Sequence, residues 1–536
     1  MSAHGNGEIE REGNPYASST LGRQSGQTDA AGFVQSYGYD PNGNRTGLNL
    51  VGTGLFTFTF DSLNRLATAQ KPGNALYTLS YDADSRRTTM MLGNGSKRLY
   101  DYDMRSQLTT QVELNSSNVP IVTLIDSYDA VGNRMTRSVN GTVATWTYDD
   151  LYRLTGQVKP GQVATYTLDG VGNLKTMWEG GNFPKTFTHD PADKIVTMIE
   201  GSNLTTYTWT GYGALSSEIT GTATTNYGYN GQDQLALVTP PGDGFPTTYA
   251  FDGDGLRRSI QTTNVNQDPP TLDITTMVWD GSDYLLLNGP NSDTVVLTLG
   301  GEIVSSGSFD LLPDSLGSVI GDIRSGQEPR VPFSYWPYGT MLLSVVQPSF
   351  PFLFVGSLGY YYDSSDRDYV RARELMKKLG RWMQTDPLWP DQTSVQYCDA
   401  TPISSVDPDG LAPGCTCSSP AKLLGVATSD PNYKCYLRVC QWYSTVCKPA
   451  LDESNCSGWP SCNGYNKIHR PCSPSDDCYA DCHRSGGNPT PGGGQVLPDW
   501  CCVECQIRIC CHVVCPLEKA FKKVLRDKFR RCGYKG

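Results

Sequence analysis

An aromatic residue followed by Asp recurs along the first half of the chain, as Tyr39-Asp40, Phe60-Asp61, Tyr81-Asp82, Tyr102-Asp103, Tyr128-Asp129 and Tyr148-Asp149, at steps of 21, 21, 21, 26 and 20 residues. Weaker copies follow at Leu168-Asp169, His189-Asp190, Tyr229-Asn230 and Phe251-Asp252. A short fixed period constrains the fold more than any other feature. A unit of about twenty residues cannot bury a core alone, so it must pack against its neighbours in a continuous array.

Each unit reads as a β-hairpin. Segments such as YDPNGNRTGL (39–48) and YDAVGNRM (128–135) place Asn-Gly or Gly-Asn just after the aromatic-Asp pair, where tight turns need residues that tolerate positive φ. The flanking runs TVATWTY (142–148) and VATYTL (163–168) alternate apolar or aromatic residues with Thr, the period of strands with one covered face. A content of 56 Gly and 30 Tyr with only 18% charged residues points the same way. A lone hairpin is barely stable in water, so the units should pair edge to edge in an all-β sheet. The repeated Asp is expected to cap its turn rather than bind Ca²⁺, since the D-x-D-x-D-G loop with a closing Glu is absent. The Tyr rows are expected to pack across strands rather than form a sugar-binding ladder.

Composition changes after Leu411. Residues 412–536 hold 16 Lys and Arg against 10 Asp and Glu, while the remainder holds 27 against 44, so an acidic body carries a basic tail. Of 18 cysteines only Cys398 precedes this boundary. Such a density marks a disulfide scaffold in an oxidising compartment. The first residues lack the apolar run of a Sec signal, so an extracellular or cell-surface location is expected by a route that the sequence does not show. The most apolar window, Met341 to Gly356, is shorter than a bilayer span and contains Pro348 and Pro351, so no membrane helix is expected.

Between array and tail lie YVRAR (369–373), LGRW (379–382), TDPL (385–388) and VDPDGL (406–411). In this order and spacing they resemble the core that closes Rhs/YD-repeat proteins, and the aromatic-Asp array resembles the YD repeats of the same family. LPDSLGSVIGDIR (312–324) and FSYWPYGTM (333–341) resemble the opening of that core. The resemblance implies a β-hairpin array wound into a hollow shell and closed by the core. It divides the chain into an N-terminal flexible segment (1–30), YD repeats (31–300), an Rhs-associated core (301–411) and a small, mixed, cysteine-rich variable domain (412–536).

The chemistry worth weighing lies in Asp386 and Asp407, each followed by Pro. Two carboxyls held close share a proton and can act as base and acid on one bound water. By itself Val-Asp-Pro-Asp-Gly is also a turn signature. In the Rhs family, and in the C component of Tc toxins, the equivalent Asp-Pro motifs form an aspartyl autoprotease that cuts just after the terminal motif. The resemblance therefore implies Asp386 and Asp407 as the pair, Arg381 as a supporting charge and Leu411-Ala412 as the scissile bond. This chain departs from the family pattern at Trp389, where a Gly is usual, and at Glu374, Leu375 and Met376. The mixed charges of Tyr369 to Trp382 read alone as a solvated face or a short helix.

The tail carries no motif of a nuclease, deaminase or transferase. Its only C-x2-C is Cys502 with Cys505, which favours disulfides over zinc even with His469, His483 and His512 nearby. Pro516 to Cys532 reads as a basic amphipathic helix, its apolar face packed on the tail's own core. Neither cofactor nor metal is expected, nor nucleic acid for the shell. The expected partners are the chain's own C-terminal domain inside the shell, a delivery or surface partner and an immunity protein. The alternative is a structural cell-surface or carbohydrate-binding repeat protein without proteolysis.

Overall fold

The computed structural model describes residues 17–18, 23–29, 31–324, 330–344, 349–387 and 394–411. Trp389 and the whole tail, with its expected disulfides, basic helix and Ala412, lie outside the described residues. Thirty strands, from Ala17–Ser18 to Val319–Arg324, form one sheet, and each pairs antiparallel with its neighbours in sequence. The sheet runs without a break past residue 300, and Gln24–Thr28, within the segment expected to be flexible, pairs with Val34–Tyr39. A two-stranded hairpin, Phe333–Tyr335 with Met341–Ser344, and a small four-stranded sheet complete the chain to Leu411.

The Asp of each repeat caps its turn. Asp61 Oδ1 accepts from the Leu63 and Arg65 backbone N–H at 2.9 Å each, and its Oδ2 accepts from Arg65 Nε at 2.7 Å. Asp82, Asp149 and Asp190 accept the same backbone pair. The caps hold the fourth turn residue in the left-handed region whether it is Gly43 (φ 95°), Asn64 (58°) or Tyr152 (62°). Glycine is therefore favoured there but dispensable, because capping bonds offset a backbone cost of about 1–2 kcal/mol. Both carboxylate oxygens of Asp61, Asp82 and Asp149 are engaged within their own turns.

The aromatic residue ties each repeat to the one before it. Hydroxyls of Tyr81, Tyr102, Tyr148 and Tyr229 donate to the carbonyls of Leu66, Arg87, Arg134 and Leu215 at 2.6–2.9 Å. Arg65 and Arg86 lie over the Tyr81 and Tyr102 rings at 4.7 and 5.3 Å. These hydroxyls are spent on backbone rather than presented to a sugar. Tyr102→Phe keeps the ring and removes one tie, so it should lower stability by about 1 kcal/mol. An unchanged denaturation midpoint would show that the tie contributes nothing.

A β-bulge precedes the aromatic position in repeat after repeat, as at Gly38/Tyr39, Ser80/Tyr81, Thr147/Tyr148 and Gly228/Tyr229. Bulges bend strands and raise local twist, so their repetition winds the sheet until its last strands cover its first. Tyr77 donates to Asp310 at 2.6 Å, Gln111 to the Pro313 carbonyl at 2.8 Å, and Arg87 pairs with Glu302 at 2.5 Å. Leu48, Phe56, Met90 and Val122 accordingly share a core with Val278, Leu297 and Ile320. The following repeats turn Trp146, Tyr166, Phe187, Tyr207, Tyr227 and Tyr249 onto Tyr338, Phe354, Tyr360 and Trp382 of the closing segment. Along the described residues the wound sheet's inward face thus carries two cores, one made with its own last strands and one with the closing segment.

The segment expected to be solvated is largely buried. Arg367–Val370 and Arg373–Met376 form a hairpin in which every strand residue is buried, while Arg371 and Ala372 of its turn are half-buried. Its charges find partners: Lys377 pairs with Asp368 at 2.5 Å, and Glu374 with Arg257 of the repeat sheet at 2.6 Å. Charge content misleads here because pairing, not exposure, satisfies these groups.

Candidate active site

Arg373, the first residue of its strand, touches both predicted carboxylates. Its Nη1 lies 2.9 Å from Asp386 Oδ2 and its Nη2 2.9 Å from Asp407 Oδ2. Arg373, Asp386 and Asp407 are 2%, 4% and 0% exposed, so the three form one sealed cluster. The Trp382 ring lies under the guanidinium at 4.3 Å. Burial lowers the Arg373 pKa, and the two carboxylates oppose that shift.

The hairpin places Asp386. Leu375 pairs with Trp382 and Met376 with Arg381, and beyond them Met383 N–H donates to the Glu374 carbonyl at 2.9 Å while Glu374 N–H donates to Gln384 Oε1 at 2.9 Å. Residues 381–386 therefore run antiparallel along 373–376 until Asp386 reaches Arg373. Its own N–H donates to the Ser394 carbonyl at 2.7 Å. Asp407 is positioned by Tyr360, whose hydroxyl accepts from its N–H at 3.2 Å and donates to its carbonyl at 2.9 Å. The Tyr360 and Tyr397 hydroxyls are 3.1 Å apart.

Asp407 also faces the expected cleavage point, because its Oδ1 accepts from Leu411 N–H at 3.1 Å. Arg373 Nε donates to the Gly410 carbonyl. Gly410 has φ 65°, and a Cβ there would stand 2.3 Å from the Val370 carbonyl oxygen, so only glycine fits.

Arg381, predicted as the supporting charge, is placed elsewhere. Its Nη1 donates to the Asp193 carbonyl at 2.6 Å and its Nη2 to Asn173 Oδ1 at 3.1 Å, which docks the core on two repeat turns. Burial takes its pKa down to about 10 against the pull of Asp193 and Asp169. The position beside the carboxylates belongs to Arg373, which sequence reasoning passed over. YVRAR offers two arginines on an extended strand, and only the hairpin register shows which one meets Asp386.

A second charged cluster backs onto the first through Glu374. Arg257 reaches Asp363 and Glu374 at 2.6 Å each and lies between the rings of Tyr249 and Tyr369 at 4.1 and 3.9 Å. Burial pushes the Glu374 carboxyl up to about 8 against the attraction of Arg257, and Asp368 up to about 6 against that of Lys377. Among the described residues no His, Cys, Asp and Glu group has the arrangement of a metal site, and no helix is long and apolar enough to cross a membrane.

Fold and site together define a wound β-hairpin repeat sheet closed by a core that buries an arginine-bridged carboxylate pair. No protein-family model and no curated protein matches the chain. Among solved structures, the crystal structure of TcdB2-TccC3-Cdc42 superposes with a TM-score of 0.54 at 17% identity, over 74% of this chain and 21% of that chain. A mutated Photorhabdus luminescens Tc holotoxin pore gives 0.48 at 16% identity, over 75% and 21%. The fold is thus that of the repeat shell in Tc toxin complexes, and this chain spans about a fifth of the neighbouring chain.

Proposed function

We propose that this chain is an Rhs/YD-repeat protein of the toxin type, whose core cuts the chain after Leu411 and so releases residues 412–536 as an effector module. The observation that carries the reading is the placement of Asp386 and Asp407 on one guanidinium with the Leu411 N–H on Asp407. In the reaction one carboxyl is ionised and takes a proton from water, whose hydroxyl adds to the Leu411 carbonyl carbon. The other is protonated and gives its proton to the carbonyl oxygen. The Leu411-Ala412 bond then breaks as the Ala412 nitrogen takes a proton, leaving a carboxylate and an amine. Arg373 holds both carboxyls in reach of one water and offsets one negative charge.

Extracellular delivery fits this reading, with the chain's own C-terminal module as the cargo of the shell and a delivery partner, as the presence of TcdB2 with TccC3 in the similar structure supports. The test is the purified full-length chain on a denaturing gel with N-terminal sequencing. A fragment of 125 residues beginning at Ala412 is expected. A single band of 536 residues would instead favour a structural repeat protein without proteolysis.

A further inference from the structure

The segment that ends at Leu411 is gripped residue by residue. The carbonyls of Pro408, Asp409 and Gly410 accept in turn from Arg371 Nη1, from Ala372 N–H at 3.1 Å and from Arg373 Nε. Three successive acceptors meet three successive donors, so a slip of one residue would break all three bonds. Arg371 is anchored in return: its Nη1 also donates to the Leu358 carbonyl at 3.2 Å and its Nε to the Ser282 carbonyl at 3.0 Å in a repeat-sheet turn. Its φ is 46°, a left-handed conformation that a non-glycine residue holds only where its surroundings enforce it. Gly359 leaves the room, since a Cβ there would lie 2.6 Å from Arg371 Nη2.

We propose that Arg371 is a positioning residue that sets the register of residues 408–411 and thereby selects the bond after Leu411 for cleavage. It touches none of the reacting atoms; it fixes the backbone that carries them against Asp407 and Arg373. This inference rests on the proposed autoproteolysis, and its readouts separate the two. Displacement by about an ångström can cost roughly a hundredfold in rate, so a released segment should be cut slowly and without fidelity.

The experiment compares the full-length parent with Arg371→Ala, Arg371→Gly and Arg371→Lys. Cleavage is followed on a gel, the new N-termini are sequenced, and amide exchange of residues 409–411 is measured in the uncut Asp407→Asn background. Arg371→Ala and Arg371→Gly should slow cleavage roughly ten- to a hundredfold, yield N-termini besides Ala412 and speed exchange at Leu411. Exchange in the repeat strands should stay unchanged, and Arg371→Lys, which can still reach the Pro408 carbonyl, should recover the single N-terminus. Parental cleavage at one site in Arg371→Ala overturns the proposal, and so does Arg371→Gly behaving as parent, which would leave only a backbone role. If the parent is never cut, the autoproteolysis reading fails. The exchange measurement then decides the grip alone, with unchanged exchange at Leu411 refuting it.

Discussion

If the core cuts the chain as proposed, Asp386→Asn, Asp407→Asn and the double substitution are each expected to leave a single uncut chain that is still folded. Asn keeps the size of Asp and most of its hydrogen bonding, including acceptance of the Leu411 N–H now made by Asp407 Oδ1, but it cannot exchange the proton that the reaction moves. The losses should be equal, because a pair that works as a unit loses its function with either member. The same assay separates the two arginines. Arg373→Ala should abolish cleavage, as Arg373 contacts both carboxylates. Arg381→Ala should only slow it, because Arg381 acts through the docking of the core on Asp193 and Asn173. Asp386→Asn cut at the parental rate would remove Asp386 from the chemistry.

Arg257→Ala is expected to be the most destabilising single change in the described part of the chain. Arg257 is 0% exposed, joins the repeat sheet to Asp363 and Glu374 of the core, and fills the space between Tyr249 and Tyr369. Removing one partner of a buried ion pair costs about 3–5 kcal/mol, because the other charge stays buried. The effect should grow with pH. Glu374 titrates near 8 in the folded chain against 4.5 as its ordinary value, so between these values the folded state holds the extra proton and stability falls as pH rises. Without Arg257 the folded carboxyl holds its proton still more tightly, so parent and variant lose stability in parallel up to about pH 7 and the deficit of the variant widens as pH rises through about 8 toward 9. Denaturation followed through Trp279, whose indole N–H donates to the Arg257 carbonyl at 2.8 Å, reads both. A loss below about 1 kcal/mol, equal at pH 6 and pH 9, would show that the cluster does not hold the core in place.

The repeat architecture was legible because its determinants are local. Strand alternation, the capping Asp and the left-handed turn residue lie within a few positions of one another, so the 21-residue period carries them openly. Even the inward row shows in TVATWTY, whose Trp146 is buried. The bulge before each aromatic residue leaves no residue of its own in the sequence, so the winding was reached only through the family resemblance and not from the repeat itself.

The sequence alone determined an antiparallel hairpin array, since period and turn chemistry are written in neighbouring residues, and it pointed to Asp386 and Asp407 only through the resemblance of their Asp-Pro motifs to the Rhs core. Only the tertiary structure decided which strands and core residues meet on the inward face, that Arg373 rather than Arg381 stands between the carboxylates, and that Arg371 grips the segment before Leu411. Those outcomes depend on hairpin register and on contacts between residues such as Arg257 and Asp363, 106 positions apart. A charged side chain on an extended strand reads the same in sequence whether it meets water or a buried partner, and packing alone separates the two.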